Sequence, residues 1–332
     1  MRVSAFQQCL RPRQAVPASS PRPCPRVTTR RCVAARCQAS SASGVESSQP
    51  QAPARLPAST DAGRRGMLRL LLGAAGVAGG LGLRLTGGAL EALAAEGVTT
   101  VFVAGATGNT GRRVVQQLRA AGFAVRAGVR STAKALSLGF GADSGISVVE
   151  ADVTKGKDFL AEALGGAQVV VVATGGDPDK VDQQGTIDLV DAAVSRGVSK
   201  FVLVSSLLTN AEAVGQKANP NYIFLQLFGG GVLGKKLVAE KYLRASGLNY
   251  TIIRPGGLSN DPEADVGNVV LRGEDSLFAL DTDPGRRISR DTVAAVAVQA
   301  VLQPGASKDR VVEIVASPSA PKLPVDQWFT GL

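Results

Sequence analysis

Gly105-Ala106-Thr107-Gly108-Asn109-Thr110-Gly111 sets three glycines at G-x-x-G-x-x-G spacing. A short β-branched run, Val98-Thr99-Thr100-Val101-Phe102-Val103-Ala104, leads into it, and a helical pattern starting Arg112-Arg113-Val114-Val115 follows at once. Residues of this kind bind an anion without a charged side chain. Glycines let the backbone approach a phosphate closely, and a helix N-terminus offers unpaired N–H groups and a positive dipole end. The strand–loop–helix setting is the context that such a loop needs to cradle a dinucleotide. Gly105, Thr107, Gly108, Asn109, Thr110 and Gly111 are the expected contacts.

Further cofactor contacts are expected where later strands end. An acid at the end of the second strand would bond a ribose 2′-hydroxyl, whereas an arginine would accept a 2′-phosphate. This strand ends Gly128-Val129-Arg130-Ser131, with Lys134 one turn on. A planar, permanently charged Arg130 suits a phosphate. NADP(H) is therefore expected in preference to NAD(H); the other reading makes Arg130 a solvated cap on a short helix. Arg112 is a second candidate. Asp152 and Val153 follow the third strand, where Asp152 either meets the adenine edge or caps a turn. Ala173-Thr174-Gly175 is small enough to let the nicotinamide ribose pass close to the backbone, and Pro255 ends the sixth strand on the cofactor side.

Composition removes other chemistries. The chain has no histidine, so it holds no Ser-His-Asp triad and no histidine metal site. All four cysteines lie before residue 38, which excludes a disulfide framework or thiolate metal site in the rest. The first 97 residues hold 13 Arg, no Lys and four acids, whereas residues 98–332 carry 24 basic and 23 acidic residues. The high net charge belongs to the leader, and the nearly neutral remainder argues against a nucleic-acid partner.

The elements that must position these residues follow from periodicity. Strands are expected at 99–104, 124–129, 147–150, 168–173, 200–204, 250–254 and 310–315. Helices are expected at 111–121, 132–138, 157–164, 181–195, 221–245 and 290–302, with a short one at 325–329. Continuous apolar runs such as Val169-Val170-Val171-Val172 mark parallel strands covered on both faces. The expected fold is α/β, a doubly wound parallel sheet of Rossmann type. Residues 257–285 are acidic and irregular, and read as a small C-terminal substrate-side lobe.

Together these segments resemble the short-chain dehydrogenase/reductase superfamily in its atypical, NmrA-like branch. The resemblance rests on the glycine loop, Ala-Gly-Val-Arg-Ser, Ala-Asp-Val, Phe-Val-Leu-Val-Ser-Ser and Val-Val-Glu-Ile-Val. It rests also on the run from Ala239-Glu240-Lys241-Tyr242 to Arg254-Pro255-Gly256-Gly257-Leu258, and covers residues 98–329. Within the branch the chain is similar to small plastid NAD(P)-binding proteins and to the dinucleotide-binding subunit of the plastid import machinery.

The resemblance implies a catalytic Ser followed by Tyr-x-x-x-Lys, in which the Tyr protonates a carbonyl and the Lys lowers its pKa and holds the ribose. Ser205 or Ser206 fits the serine and Lys236 the lysine; Ser205 and Lys236 are the catalytic candidates, with Lys236 also a ribose contact or else a solvated helix lysine. Val232 stands where the tyrosine belongs. Tyr222 and Tyr242 are off that helical position and read as packing residues. Loss of a positioned acid costs a factor of about 10²–10⁴ in rate. The acids at 261–265 and 274–275 read as loop solvation and capping.

Residues 1–60 are rich in Arg and Ser and carry one acid, Glu46, the composition of a disordered transit peptide. Within 61–97, Arg64-Arg65 precedes an apolar stretch whose 14 uncharged residues between Arg69 and Arg84 are short for a membrane span. A twin-arginine-like lumen signal, a membrane-docking segment and a long stromal transit peptide all fit. The functional expectation is a chloroplast protein, stromal or thylakoid-associated with the lumen left open, with its NADP(H)-binding domain at 98–332. It passes hydride from NADPH to a flavin, quinone or other conjugated acceptor. The alternative is a non-catalytic redox sensor or assembly factor with a plastid protein complex, at a thylakoid or envelope membrane, as partner.

Overall fold

The computed structural model describes residues 100–332. The leader segments expected at 1–60 and 61–97 lie outside the described residues. Six strands follow in turn: β1 (Thr100–Ala104), β2 (Ala124–Val129), β3 (Ile146–Glu150), β4 (Val169–Val172), β5 (Lys200–Val204) and β6 (Tyr250–Pro255). Crossovers between them carry α1 (Gly111–Ala120), α2 (Thr132–Ser137), α3 (Lys157–Leu164), α4 (Thr186–Ser195), α5 (Pro220–Phe228) and α6 (Val232–Ala245). The rest of the chain adds β7 (Gly257–Ser259), α7 (Glu263–Val266), β8 (Asn268–Arg272), β9 (Arg287–Ser289), α8 (Arg290–Leu302) and β10 (Arg310–Ser317).

The main sheet runs β3-β2-β1-β4-β5-β6-β10-β8 and is parallel except for β8. The chain winds outward from β1 to β3 and then returns to the other side of β1, so the order reverses between β1 and β4. Ligands of open α/β sheets bind outside the carboxyl ends of the strands at such a point.

Alternation along each strand divides the core in two. Val101 and Val103 of β1 and Val169 and Val171 of β4 face the side packed by α1 and α8. Phe102, Ala104, Val170 and Val172 face the side packed by α3 and α4. Burial on both faces is why these strands read as unbroken apolar runs. Helix α8 is buried almost all round, with Trp328 and Phe329 of the C-terminal segment in the same cluster.

Four expectations are corrected. The helix expected at 221–245 is two helices, because Gly230 and Gly231 take φ of +62° and +72° and end α5. The helix expected at 181–195 begins with a π-helical turn, Pro178–Gly185, capped by Asp177, and only then becomes α4. The irregular lobe contains β7, which pairs with β9, and β8, which extends the main sheet antiparallel to β10. The last expected helix is a 3-10 turn, Val325–Gln327.

Lys200 opens β5 with its side chain buried, where Nζ donates to Asn249 Oδ1 at 2.7 Å and to the Ser307 carbonyl at 3.1 Å. Burial pulls its pKa from 10.5 to about 7, against an opposing pull from Asp309. Between those values the unfolded chain holds a proton on Lys200 that the folded chain lacks, so this residue's contribution to stability rises with pH across that window. Thermal melts from pH 7 to pH 10 should therefore climb less steeply in Lys200→Met than in the parent chain. Parallel curves would contradict the assignment.

Candidate functional site

At the end of β1, Gly105 turns with φ +74°, and a Cβ on it would stand 2.8 Å from the Ala173 carbonyl oxygen behind β4. Gly111 is tighter still, since its Cβ would lie 2.2 Å from the Gly105 carbonyl oxygen. Only glycine lets the loop lie against β4 and α1 start directly beside it. Inside the loop the Gly108 amide donates to Gly105 O at 2.9 Å and the Arg112 amide to Gly108 O at 3.0 Å. The amides of Thr107, Asn109, Thr110 and Gly111 donate to no acceptor among the described residues. The first turn of α1 holds no acid. Free N–H groups at the positive end of a helix make an anion site.

A groove runs from this loop across the sheet. Gly105, Thr107 and Gly108 line it on the loop side, and Arg130 and Lys134 line it beyond β2. Val153, Ala173, Thr174 and Gly175 are the other expected contacts in its lining, and Gly128, Ala151 and Val181 join them. Gly128 is required by packing: a Cβ there would meet the Phe102 ring at 2.5 Å. Arg130 and Lys134 are exposed. Ser131, not Arg130, caps α2, accepting from the Lys134 amide at 3.3 Å.

Other expected contacts lie elsewhere. Asn109, Thr110 and Gly111 belong to the loop but not to the groove lining. Asp152 is a cap, accepting from the Thr154 amide at 3.0 Å and hydroxyl at 2.8 Å; those bonds, the amide first, hold its carboxyl below the usual range. Pro255 is buried outside the groove, where its carbonyl accepts from the Leu207 amide at 3.0 Å.

Thr174 also lines a smaller adjoining cavity, with Asp182, Thr186, Ser205, Lys236 and Ala239. The structure thus brings Ser205 and Lys236 together, but both are engaged. Lys236 Nζ meets Asp182 Oδ1 at 2.6 Å, and Asp182 is only 3% exposed. The Ser205 hydroxyl donates to Glu240 Oε1. Glu240 in turn pairs with Arg254 through Nη2 at 2.7 Å and Nε at 3.2 Å, both side chains being 1% exposed.

Arg254 holds three further carboxylates: Asp275 at 2.8 Å, and Glu274 and Glu313 at 3.3 Å each. Burial works against its charge, but the bond to Glu240 and the fields of Glu240, Asp275 and Glu274 outweigh it and raise its pKa. Glu313 is pushed up by burial, opposed by the Leu277 and Ser276 amides and by Arg254. Glu274 and Asp275 therefore turn inward and do not merely solvate a loop, as the sequence suggested.

No tyrosine replaces the missing acid. Val232 is the first residue of α6. The Tyr222 hydroxyl donates to Glu212 at 2.8 Å and accepts from Gln226, and that of Tyr242 donates to Asp191 at 2.6 Å. Sequence reasoning missed Asp182, Glu240 and Arg254 as parts of the site. Glu240 and Arg254 stand in the quoted family run, but nothing local pairs residues 14 apart across a helix and a strand.

Residues 105–304 match the NAD(P)H-binding family. An uncharacterised chloroplast protein of Arabidopsis thaliana is 52% identical over 240 residues, covering 70% of this chain and 82% of the relative. The chloroplast protein TIC 62 of Pisum sativum is 36% identical over 257 residues, covering 70% of this chain but 46% of its own length. The chain thus spans less than half of that relative. In fold it is similar to the oxidoreductase ylbE of Lactococcus lactis, with a TM-score of 0.58 and 21% identity over 70% of this chain and 96% of the other.

Replacing Arg254 by Met leaves four carboxylates facing one another. Removing one partner of a buried pair typically costs about 3–5 kcal/mol. Denaturant titration of Arg254→Met should show a loss at least that large, and a variant as stable as its parent would refute the central role of this residue.

Proposed function

The chain belongs to the NAD(P)H-binding family, in its atypical short-chain dehydrogenase/reductase branch, and from that premise we propose that it is a plastid NADP(H)-dependent oxidoreductase. The observation that carries the reading is the glycine loop with its four unclaimed amides beside an exposed Arg130. The fit is physical: the space that a Cβ at Gly105 or Gly111 would fill is taken by backbone, and the amides stay available to a diphosphate.

In this reading the Thr107 amide at the groove and the adjoining amides of Asn109–Gly111, at the start of α1, hold the diphosphate, and Arg130, with Lys134, holds the 2′-phosphate. Val153 packs the adenosine side, while Ala173, Thr174 and Gly175 leave room for the second ribose. When bound, the cofactor supplies a hydride from its nicotinamide ring. Lys236 gives one N–H to Asp182 and keeps two for ribose hydroxyls or an acceptor. Position 232 offers no proton, so the acceptor class is one whose ring delocalises charge and takes its proton from water, a flavin or quinone. Relatives named as chloroplast proteins and the arginine-rich, acid-poor leader support a plastid location.

A second reading, an NADP(H)-binding sensor or assembly factor without turnover, is favoured by one observation. Ser205 and Lys236 are both bonded to buried carboxylates, and Val232 stands in the acid's place.

Calorimetric affinities of the full chain for NADPH and NADH test the cofactor assignment. A charge-assisted bond to the 2′-phosphate contributes about 1.5–3 kcal/mol, so Arg130→Ala should weaken NADPH about 10- to 150-fold and leave NADH nearly unchanged. Gly111→Ala should weaken both. Equal loss of the two cofactors in Arg130→Ala would overturn the 2′-phosphate assignment. Oxidation of NADPH across a panel of flavins and quinones separates the two readings: turnover supports the reductase, and tight binding without turnover supports the sensor.

A further inference from the structure

Ser205 ends buried against Glu240, with its residue 7% exposed. The Glu240 carboxylate is in an ion pair with Arg254 on two nitrogens, and a carboxylate in such a pair accepts hydrogen bonds and donates none. The single hydroxyl proton of Ser205 therefore points at Glu240 Oε1. What Ser205 can offer a ligand is its lone pairs. Thr209 gives Glu240 only a long contact, at 3.5 Å to Oε2, and does not compete for that oxygen. A serine that is to donate to a carbonyl needs the proton that this one has given away.

We propose that Glu240, fixed by Arg254, is a positioning residue that holds Ser205 as a hydrogen-bond acceptor, so that the small cavity adjoining the groove at Thr174 selects a ligand group bearing N–H or O–H. The inference rests on the dinucleotide reading above and sharpens it. Two sources share this chemistry: the carboxamide N–H of the nicotinamide, and the hydroxyl of a second small molecule such as a phenol. A carbonyl oxygen, a quinone's included, meets lone pairs at Ser205 and must lie elsewhere in the site.

The test is binding to the full chain, in parent, Ser205→Ala and Glu240→Gln forms. One arm compares NADP+ with its nicotinic-acid analogue, which carries a carboxylate in place of the carboxamide. The other compares 4-methylphenol with its methyl ether on the NADP+-saturated chain. In at least one arm the donor-bearing ligand should lose about tenfold of its advantage in Ser205→Ala, the size of one buried hydrogen bond. The arm that responds identifies the source. Glu240→Gln presents an N–H to Ser205, frees the hydroxyl proton, and should reverse the preference, which a merely structural role would not do. If that variant does not fold, Ser205→Ala, which leaves the Glu240–Arg254 pair in place, still decides.

2′-Phospho-ADP-ribose, which lacks the nicotinamide, is the control and should bind parent and Ser205→Ala alike. Failure of this fragment to bind the parent overturns the dinucleotide reading and this inference with it. Binding of the fragment with no Ser205-dependent preference in either arm overturns this inference alone.

Discussion

One buried guanidinium organises the second half of this molecule. Arg254, on β6, takes Glu240 from α6, Glu313 from β10, and Glu274 and Asp275 from the segment after β8. Removing these charges from water is costly, and an apolar cluster of the same shape would hold the elements together as well or better. What the charge cluster supplies is geometry. Four carboxylates are satisfied around one planar fork only when β6, β10, α6 and the lobe stand in one arrangement. Amides of Ser276 and Leu277 on Glu313 fix the lobe from its own backbone, at 2.8 and 2.7 Å. Ser205, through Glu240, inherits that rigidity.

The other half rests on close backbone approach. Gly105 and Gly111 leave no room for side chains, and the result is a set of free amides on the α1 side of the sheet. The two halves meet at Thr174, which lines both the groove and the inner cavity. They differ in kind. The groove end is open and unpaired, poised for a ligand, whereas the inner end is already bonded within itself. A site with this asymmetry favours holding a nucleotide over general acid catalysis, and Val232 points the same way.

The open half was the legible half. Strand–glycine–helix order and apolar runs are local, so β1, α1, the parallel sheet and part of the groove lining could be read from neighbouring residues. Arg130 and Thr174 stood out because strand ends have known neighbours in a doubly wound sheet. The illegible features are those created by contacts distant in sequence. Asp182 fell inside the helix expected at 181–195 with nothing to mark it, and only the π-helical turn places it under Lys236. Glu274 and Asp275 looked like solvated loop acids because their partner lies on a strand about twenty residues earlier. β8 was hidden because an apolar run of three, Val269-Val270-Leu271, sat inside an acidic, glycine-bearing stretch.

The most direct measurement is a crystal structure of the chain with NADP+. The diphosphate should lie on the amides of the Gly105–Gly111 loop, the 2′-phosphate against Arg130, and the nicotinamide end beside Thr174 with the Lys236–Asp182 and Ser205–Glu240 bonds retained. A dinucleotide bound elsewhere, or an adenosine ribose turned away from Arg130, would refute the assignment of this loop and of Arg130.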